Sequence, residues 1–279
     1  MIVYEKLSKN YGELKAVEDL NLHIEKGSFF GLLGPNGAGK TTTIRMTTSL
    51  TPPSAGRILV DGLPVSRDNA QVKRRLGVVP QDSTLERELT AWENLEYHGR
   101  LYGMPRARRR ARIQELLEFA ELSDRAKDLA YTFSGGMQRR LMIVKALMHE
   151  PAVLLLDEPT VGLDAAARRR IWDFLRVLKE QGLTIFLTTH YLEEAETLCD
   201  RIGMMHQGHL VSLGSPAEIV GKLGSFVLEH FEGGQTRRDF FPNREEAEAA
   251  AEGLGCEYRI RPANLEDAFV RLTNRGLTE

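Results

Sequence analysis

The sequence is poor in cysteine and has no long apolar run. Its two cysteines, Cys199 and Cys256, are too few for a disulfide framework, and neither sits in a metal-ligand pattern. No stretch reaches the roughly 18 apolar residues that a spanning helix requires, so work at a membrane would need another chain to supply the span. The N-terminus opens on alternating, strand-like residues instead of a charged, then apolar, then small-residue leader, and a cytoplasmic product is expected. An excess of one charge is missing too. Lys and Arg number 37 against 39 Asp and Glu, and the net charge of −2 gives no global attraction to nucleic acid. The arginine clusters at 106–112 and 168–170 read as solvated helix faces. Internal repeats and low-complexity tracts are absent. What is left is a 279-residue chain, 42% hydrophobic and 27% charged, long enough for one large domain and a small appendage.

Glycine is concentrated where it has a chemical use. Gly34-Pro35-Asn36-Gly37-Ala38-Gly39-Lys40-Thr41 follows the apolar run 29–33 and leads into the helix-compatible run 42–48. The spacing fits a phosphate-binding loop, in which glycines let successive backbone N–H groups turn inward around a polyphosphate. The following helix would add the partial positive charge of its N-terminus. Lys40 would reach the β- and γ-phosphates, and Thr41 would offer its hydroxyl to Mg²⁺.

Along the chain, residues 1–7 and 14–24 read as β-rich segments around a turn at Asn10-Tyr11-Gly12, which could present Tyr11 outward. The strand 76–79 stops at Pro80 and leaves Gln81 at its end. From 85 to 129 helical periodicity takes over, with Ile113, Leu116, Leu117 and Ala120 on one face of a helical insertion. Ser134-Gly135-Gly136 then opens a helix, where serine can cap free N–H groups and the glycines could expose amides to an anion. The run 153–156 reads as a central parallel strand ending in Asp157 and Glu158. Open α/β sheets bind ligands at that end. Asp157 would hold the hydration shell of Mg²⁺, and Glu158 could polarise the attacking water. Asp164 is placed to cap the next helix. The strand 183–188 ends at Thr189-His190, which makes His190 a candidate γ-phosphate contact. Beyond residue 220 the pattern changes to strands at 226–231, 236–241 and 257–261 with helices at 244–251 and 265–272. This describes a small α+β appendage without a catalytic constellation.

Taken in order, Tyr11, the glycine-rich loop, Gln81, Ser134-Gly135-Gly136, Asp157-Glu158, Asp164 and His190 resemble the ATP-binding cassette ATPases, the nucleotide-binding subunits of ABC transporters. The resemblance covers about residues 1–220. It implies an α/β P-loop NTPase fold with an antiparallel β subdomain, a helical subdomain at about 85–145 and an accessory domain at 221–279. It also implies that Tyr11 stacks on adenine and that Gly34 to Thr41, together with Thr42, hold the phosphates of ATP. Magnesium would be held by Thr41, Gln81 and, through water, Asp157. Glu158 would be the general base, Gln81 would sense metal or water while facing the transport partner, and His190 would contact the γ-phosphate. Ser134 and Gly136 would contact the γ-phosphate of ATP bound to an opposite cassette, so that a head-to-tail dimer, favoured as a homodimer, completes each site; Gly135 and Asp164 are implied as nucleotide-binding residues as well. The remaining partner implied is a polytopic membrane permease, with this chain peripheral at the inner face of the membrane and no nucleic acid involved. Met137 stands between Ser-Gly-Gly and Gln138, where the commonest signature has glutamine at once; this, and Leu265 to Phe269, resemble a drug-resistance subgroup of exporters. The alternative is a soluble ATPase of the same type without a transporter. Such relatives carry two cassettes or a long coiled-coil insertion, and neither is seen here.

Overall fold

The structure, a computed structural model, describes residues 1–275. Alternating burial in the first two segments builds a long antiparallel hairpin, β1 (Ile2–Tyr11) and β2 (Leu14–Ile24). The ladder runs on through Tyr11, which pairs with Leu14, so the turn expected at Asn10-Tyr11-Gly12 begins at Gly12. The wholly buried β3 (Phe29–Leu33) then feeds α1 (Lys40–Thr47) through the glycine-rich loop. β4 (Ala55–Val60) and β5 (Leu63–Pro64) form a second hairpin, and α2 (Ala70–Arg75), capped by Asn69, precedes β6 (Leu76–Val79). Three helices follow: α3 (Ala91–Leu101), α4 (Arg106–Phe119) and α5 (Gly135–Leu147). The chain continues through β7 (Val153–Asp157), α6 (Ala165–Glu180), β8 (Thr184–Thr189), α7 (Leu192–Leu198), β9 (Arg201–His206), β10 (His209–Gly214) and α8 (Pro216–Gly221). It ends with β11 (Phe226–Glu232), β12 (Gln235–Phe241), α9 (Arg244–Ala251), β13 (Tyr258–Pro262) and α10 (Leu265–Arg275).

The strands form three sheets. The antiparallel sheet has the order β2-β1-β4-β5, and the central sheet runs β10-β9-β3-β8-β7-β6. Its neighbours are parallel except for β10, which returns antiparallel on β9. Strands buried on both faces read as continuous apolar runs, and β3 and β7 are buried at every position. Their alternate side chains enter different cores. Leu33, Leu154 and Leu156 face the helices, whereas Phe30, Leu32 and Leu155 meet Ile2, Tyr4 and Ile58 of the antiparallel sheet. The third sheet, β12-β11-β13, lies in the C-terminal segment.

Thr90 starts α3 with a reciprocal capping box, and Ile113, Leu116, Leu117 and Ala120 are all buried as their spacing requires. Arg109 departs from the expected solvated face. It is buried and grips Glu96 with two nitrogens, each at 2.7 Å, while donating to the Met104 carbonyl at 2.6 Å. Its partner arginines 106, 108 and 110 remain exposed.

A second buried feature of this region has a pH signature. Burial, with His149 and Lys145 beside it, pushes the His98 imidazole from 6.5 down to about 4. Burial lowers His149 as well, despite its hydrogen bond to the Leu76 carbonyl. The folded chain therefore keeps these rings neutral where the unfolded chain takes up protons, and their stabilisation is lost as pH falls from about 6.5 towards 4. Urea midpoints between pH 7 and 4.5 are expected to show less loss of stability in His98→Gln than in the unmutated protein, a difference of up to about 3 kcal/mol. An identical slope in the two proteins would contradict this assignment.

Candidate functional site

The loop after β3 is shaped by backbone that only glycine tolerates. Gly39, with φ at 107°, caps α1, and a Cβ there would lie 2.4 Å from the Ala16 carbonyl oxygen of β2. The hairpin thus packs directly against the loop. Lys40 is buried and folded back on its own loop, with Nζ donating to the carbonyls of Gly34 at 2.7 Å and Pro35 at 3.1 Å. The same nitrogen lies 3.3 Å from Oε1 of Glu158.

The parallel strands bring the other expected residues to the same edge. Asp157 ends β7, where its Oδ1 accepts from the Thr188 hydroxyl at 2.5 Å and the Thr41 hydroxyl at 3.2 Å. Glu158 is next, buried and left-handed with φ at 50°, a costly conformation for a side chain of this type. Its amide donates to the Thr188 carbonyl, and its Oε2 lies 2.5 Å from Nδ1 of His190. Glu158 is thereby held between a lysine and an imidazole. Gln81, exposed after β6, reaches the same space.

A cavity of about 360 Å³ contains these groups, lined by Tyr11, Asn36, Gly37, Gly39, Lys40, Thr41, Thr42, Gln81, Glu158 and His190, with Leu14 and Ala16 from the hairpin. Tyr11 is 44% exposed at its rim, with Lys9 Nζ over the ring at 5.1 Å from its centroid. Asp157 lies beneath, connected through Thr41. Ser134, Gly135, Gly136 and Asp164 are not part of this cavity. They line another, of about 440 Å³, together with Leu163, Ala167 and Arg170. There the Ser134 hydroxyl caps α5 by accepting from the Met137 amide at 3.3 Å, and Asp164 caps α6 by accepting from Ala167 at 2.8 Å. A single chain therefore displays two half-sets of the expected residues in different places.

Several supporting residues were not legible in the sequence. Arg139, buried on α5, donates to the Pro80 and Gln81 carbonyls at 2.9 and 3.1 Å and ties the Gln81 segment to the helix that Ser134 caps. Burial depresses its pKa, against the pull of Glu194, Asp157 and Asp82. Thr188 orients Asp157, and Ala16 closes on the loop; a threonine and an alanine inside strands carry no signal of such roles. A larger cavity, of about 710 Å³, lies between β12 and α10; of its two carboxylates, Asp239 and Asp267, the second is already engaged by Arg261 at 2.7 and 2.8 Å.

A family model described as ABC transporter matches residues 17–161. The chain is 42% identical to the Nod factor export ATP-binding protein I of Paraburkholderia xenovorans, over 100% of this chain and 98% of the relative. It is 44% identical to the linearmycin resistance ATP-binding protein LnrL of Bacillus subtilis, over 82% of this chain and 73% of the relative. Among solved structures, the ATP-binding cassette MJ0796, seen as a dimer in a post-hydrolysis state with ADP and Pi, superposes with a TM-score of 0.69 at 30% identity, covering 77% of this chain and 98% of that chain.

Proposed function

The chain belongs to the ABC transporter family, and from that premise we propose that it is the Mg-dependent ATPase subunit of an exporter, acting from the cytoplasmic face on a separate membrane-embedded partner. The observation that carries the reading is the convergence of Lys40, Asp157, Glu158 and His190 on one end of a parallel sheet, around the 360 Å³ cavity. No helix among the described residues is long and apolar enough to cross a membrane. The spanning chain is a partner in this reading.

The triphosphate is received by the loop from Gly34 to Thr42 through its backbone N–H groups, of which Pro35 has none, and its charge draws Lys40 away from Glu158 and from its own loop carbonyls. Tyr11 offers its exposed ring to adenine. The hard oxygen donors of Thr41, Asp157 and Gln81 suit magnesium, and the described residues contain no cluster of three or more His, Cys, Asp or Glu that would favour another metal. Such an ion supplies charge neutralisation on the phosphate oxygens. Glu158 takes the proton of the attacking water, with His190 beside it to hold the γ-phosphate and to fix the carboxylate. Ser134 and Gly136 of a second copy close over the γ-phosphate, with Gly135 and Asp164 supporting that surface. Arg139 carries the movement of the Gln81 segment into α5 and so to the partner. Residues 1–220 form the cassette in this reading, and 221–279 an accessory unit.

Capture of the tagged chain from detergent-solubilised membranes tests the coupling. A polytopic membrane protein is expected in stoichiometric amount, and its reconstitution with the chain should raise ATP turnover, which chelation of magnesium abolishes and added Mg²⁺ restores. A chain recovered free of membrane proteins, with full turnover alone, would favour the soluble alternative.

A further inference from the structure

Glu194 on α7 is fully buried, at 0% exposure. A buried carboxyl is costly unless its oxygens are satisfied, and no lysine or arginine makes an ion pair with it among the described residues. Its partners are hydrogen-bond donors from two segments. Oε1 accepts from the Thr160 hydroxyl at 2.9 Å and from the Trp172 indole at 3.0 Å. Oε2 has no partner. Thr160 lies two residues beyond Glu158, and Thr189 immediately precedes His190, where its hydroxyl accepts from the Tyr191 amide at 3.0 Å. Trp172 belongs to α6, whose Ala167 abuts Gly136, a Cβ on which would approach Ala167 to 3.2 Å. Glu194 itself stands four residues beyond His190, in the first turn of α7, so its carboxyl ties the segment bearing His190 to the segment bearing Glu158 and to the helix beside the Ser134 turn.

We propose that Glu194 is a positioning residue, which fixes the Glu158 and His190 segments against each other so that the 2.5 Å contact between those two side chains is set before nucleotide arrives. It touches neither the 360 Å³ cavity nor the glycine-rich loop, and so its effect falls on turnover and not on nucleotide capture. Burial raises the Glu194 pKa, helped by the Glu158 carboxylate. Arg139 on α5 and the Cys199 thiol at the end of α7 are the other titratable groups that feel its charge. A neutral amide of the same shape should therefore substitute well, since its carbonyl can accept the same two bonds.

The inference rests on the ATPase reading above, and its test separates the two. In the full chain, Glu194→Ala is expected to lower kcat by about 10- to 100-fold with KM and nucleotide affinity within about threefold, the pattern of a displaced but intact machine. Glu194→Gln should recover kcat to within about threefold. The His190 ring resonance in NMR should shift in Glu194→Ala and stay in place in Glu194→Gln, a reading independent of turnover. Should Glu194→Ala fold poorly, Thr160→Val and Trp172→Phe together remove both donors and should reproduce the kcat loss. An unmutated chain without ATPase activity defeats the functional reading, while the His190 resonance still decides this one. Unchanged kcat and an unmoved His190 resonance in Glu194→Ala, or a Gln variant as impaired as Ala, would overturn the proposal.

Discussion

Glu158→Gln is expected to bind ATP at least as well as the unmutated chain and to hydrolyse it about 100- to 10,000-fold more slowly, the range for loss of a positioned general base. The substitution keeps volume and shape at a buried site, so the left-handed backbone and the packing around it persist. What disappears is the charge. Without it Glu158 can no longer accept a proton from water, and the ion pair at 3.3 Å that holds Lys40 away from incoming phosphate is gone. The two consequences have opposite signs, lower turnover and an easier approach for nucleotide, and together they distinguish a lost base from a damaged fold. Phosphate release and titration with a fluorescent ATP analogue measure them separately. Turnover near the unmutated rate would remove Glu158 from the role of base, and weakened binding would show that its contact with Lys40 supports the site instead of competing with nucleotide.

The parts of this site that were legible in the sequence are those whose chemistry forces a local pattern. A loop that must wrap phosphate needs glycine at fixed offsets, and a strand buried on both faces must be apolar until the carboxylates at its end; hence the segment from Gly34 to Thr41 and the boundary at Asp157 could be read directly. Tyr11 was placed on a turn because Asn10 and Gly12 are turn formers, but pairing with Leu14 extends the strand through it. The short helices α2 and α8, of six residues each, are too brief to establish a 3.6-residue period. Sheet order was hidden for a different reason. β3 lies between β8 and β9, more distant in sequence than any local signal reaches, and it is the pairing of β7 with β8, Asp157 opposite Thr188, that places His190 against Glu158. Glu194 and Arg139 were invisible for the same cause, since acidic and basic residues in helices look alike from the sequence whether they face water or, as these do, segments distant in the chain.

Two inactive variants are expected to restore each other. Lys40→Ala removes the cation of the phosphate loop, and Gly135→Asp puts a carboxylate on the surface proposed to meet the γ-phosphate from the opposite copy. The second change is mild for the fold. Gly135 is exposed at the first turn of α5, its φ is not among the positive ones, and an acidic side chain at a helix N-terminus is favourable. A Cβ there meets only the flexible end of Leu163, at 3.3 Å. Each variant alone spoils both sites of a symmetric pair, the first through the 360 Å³ cavity and the second through the 440 Å³ cavity. In a mixed pair both lesions fall in one site, and the other combines an intact Lys40 with an intact Gly135. Random pairing then predicts recovery of about a quarter of the unmutated turnover from an equal mixture, provided each site can fire alone. Differently tagged copies captured in sequence would isolate the mixed pair, raising the expected recovery to about half. No ATP hydrolysis in that isolated pair, when each tag is shown to be present, would mean either that both sites must be intact or that Gly135 serves the site of its own chain; covalent linkage of one unmutated copy to one Lys40→Ala copy separates these, because only the first predicts an inactive pair.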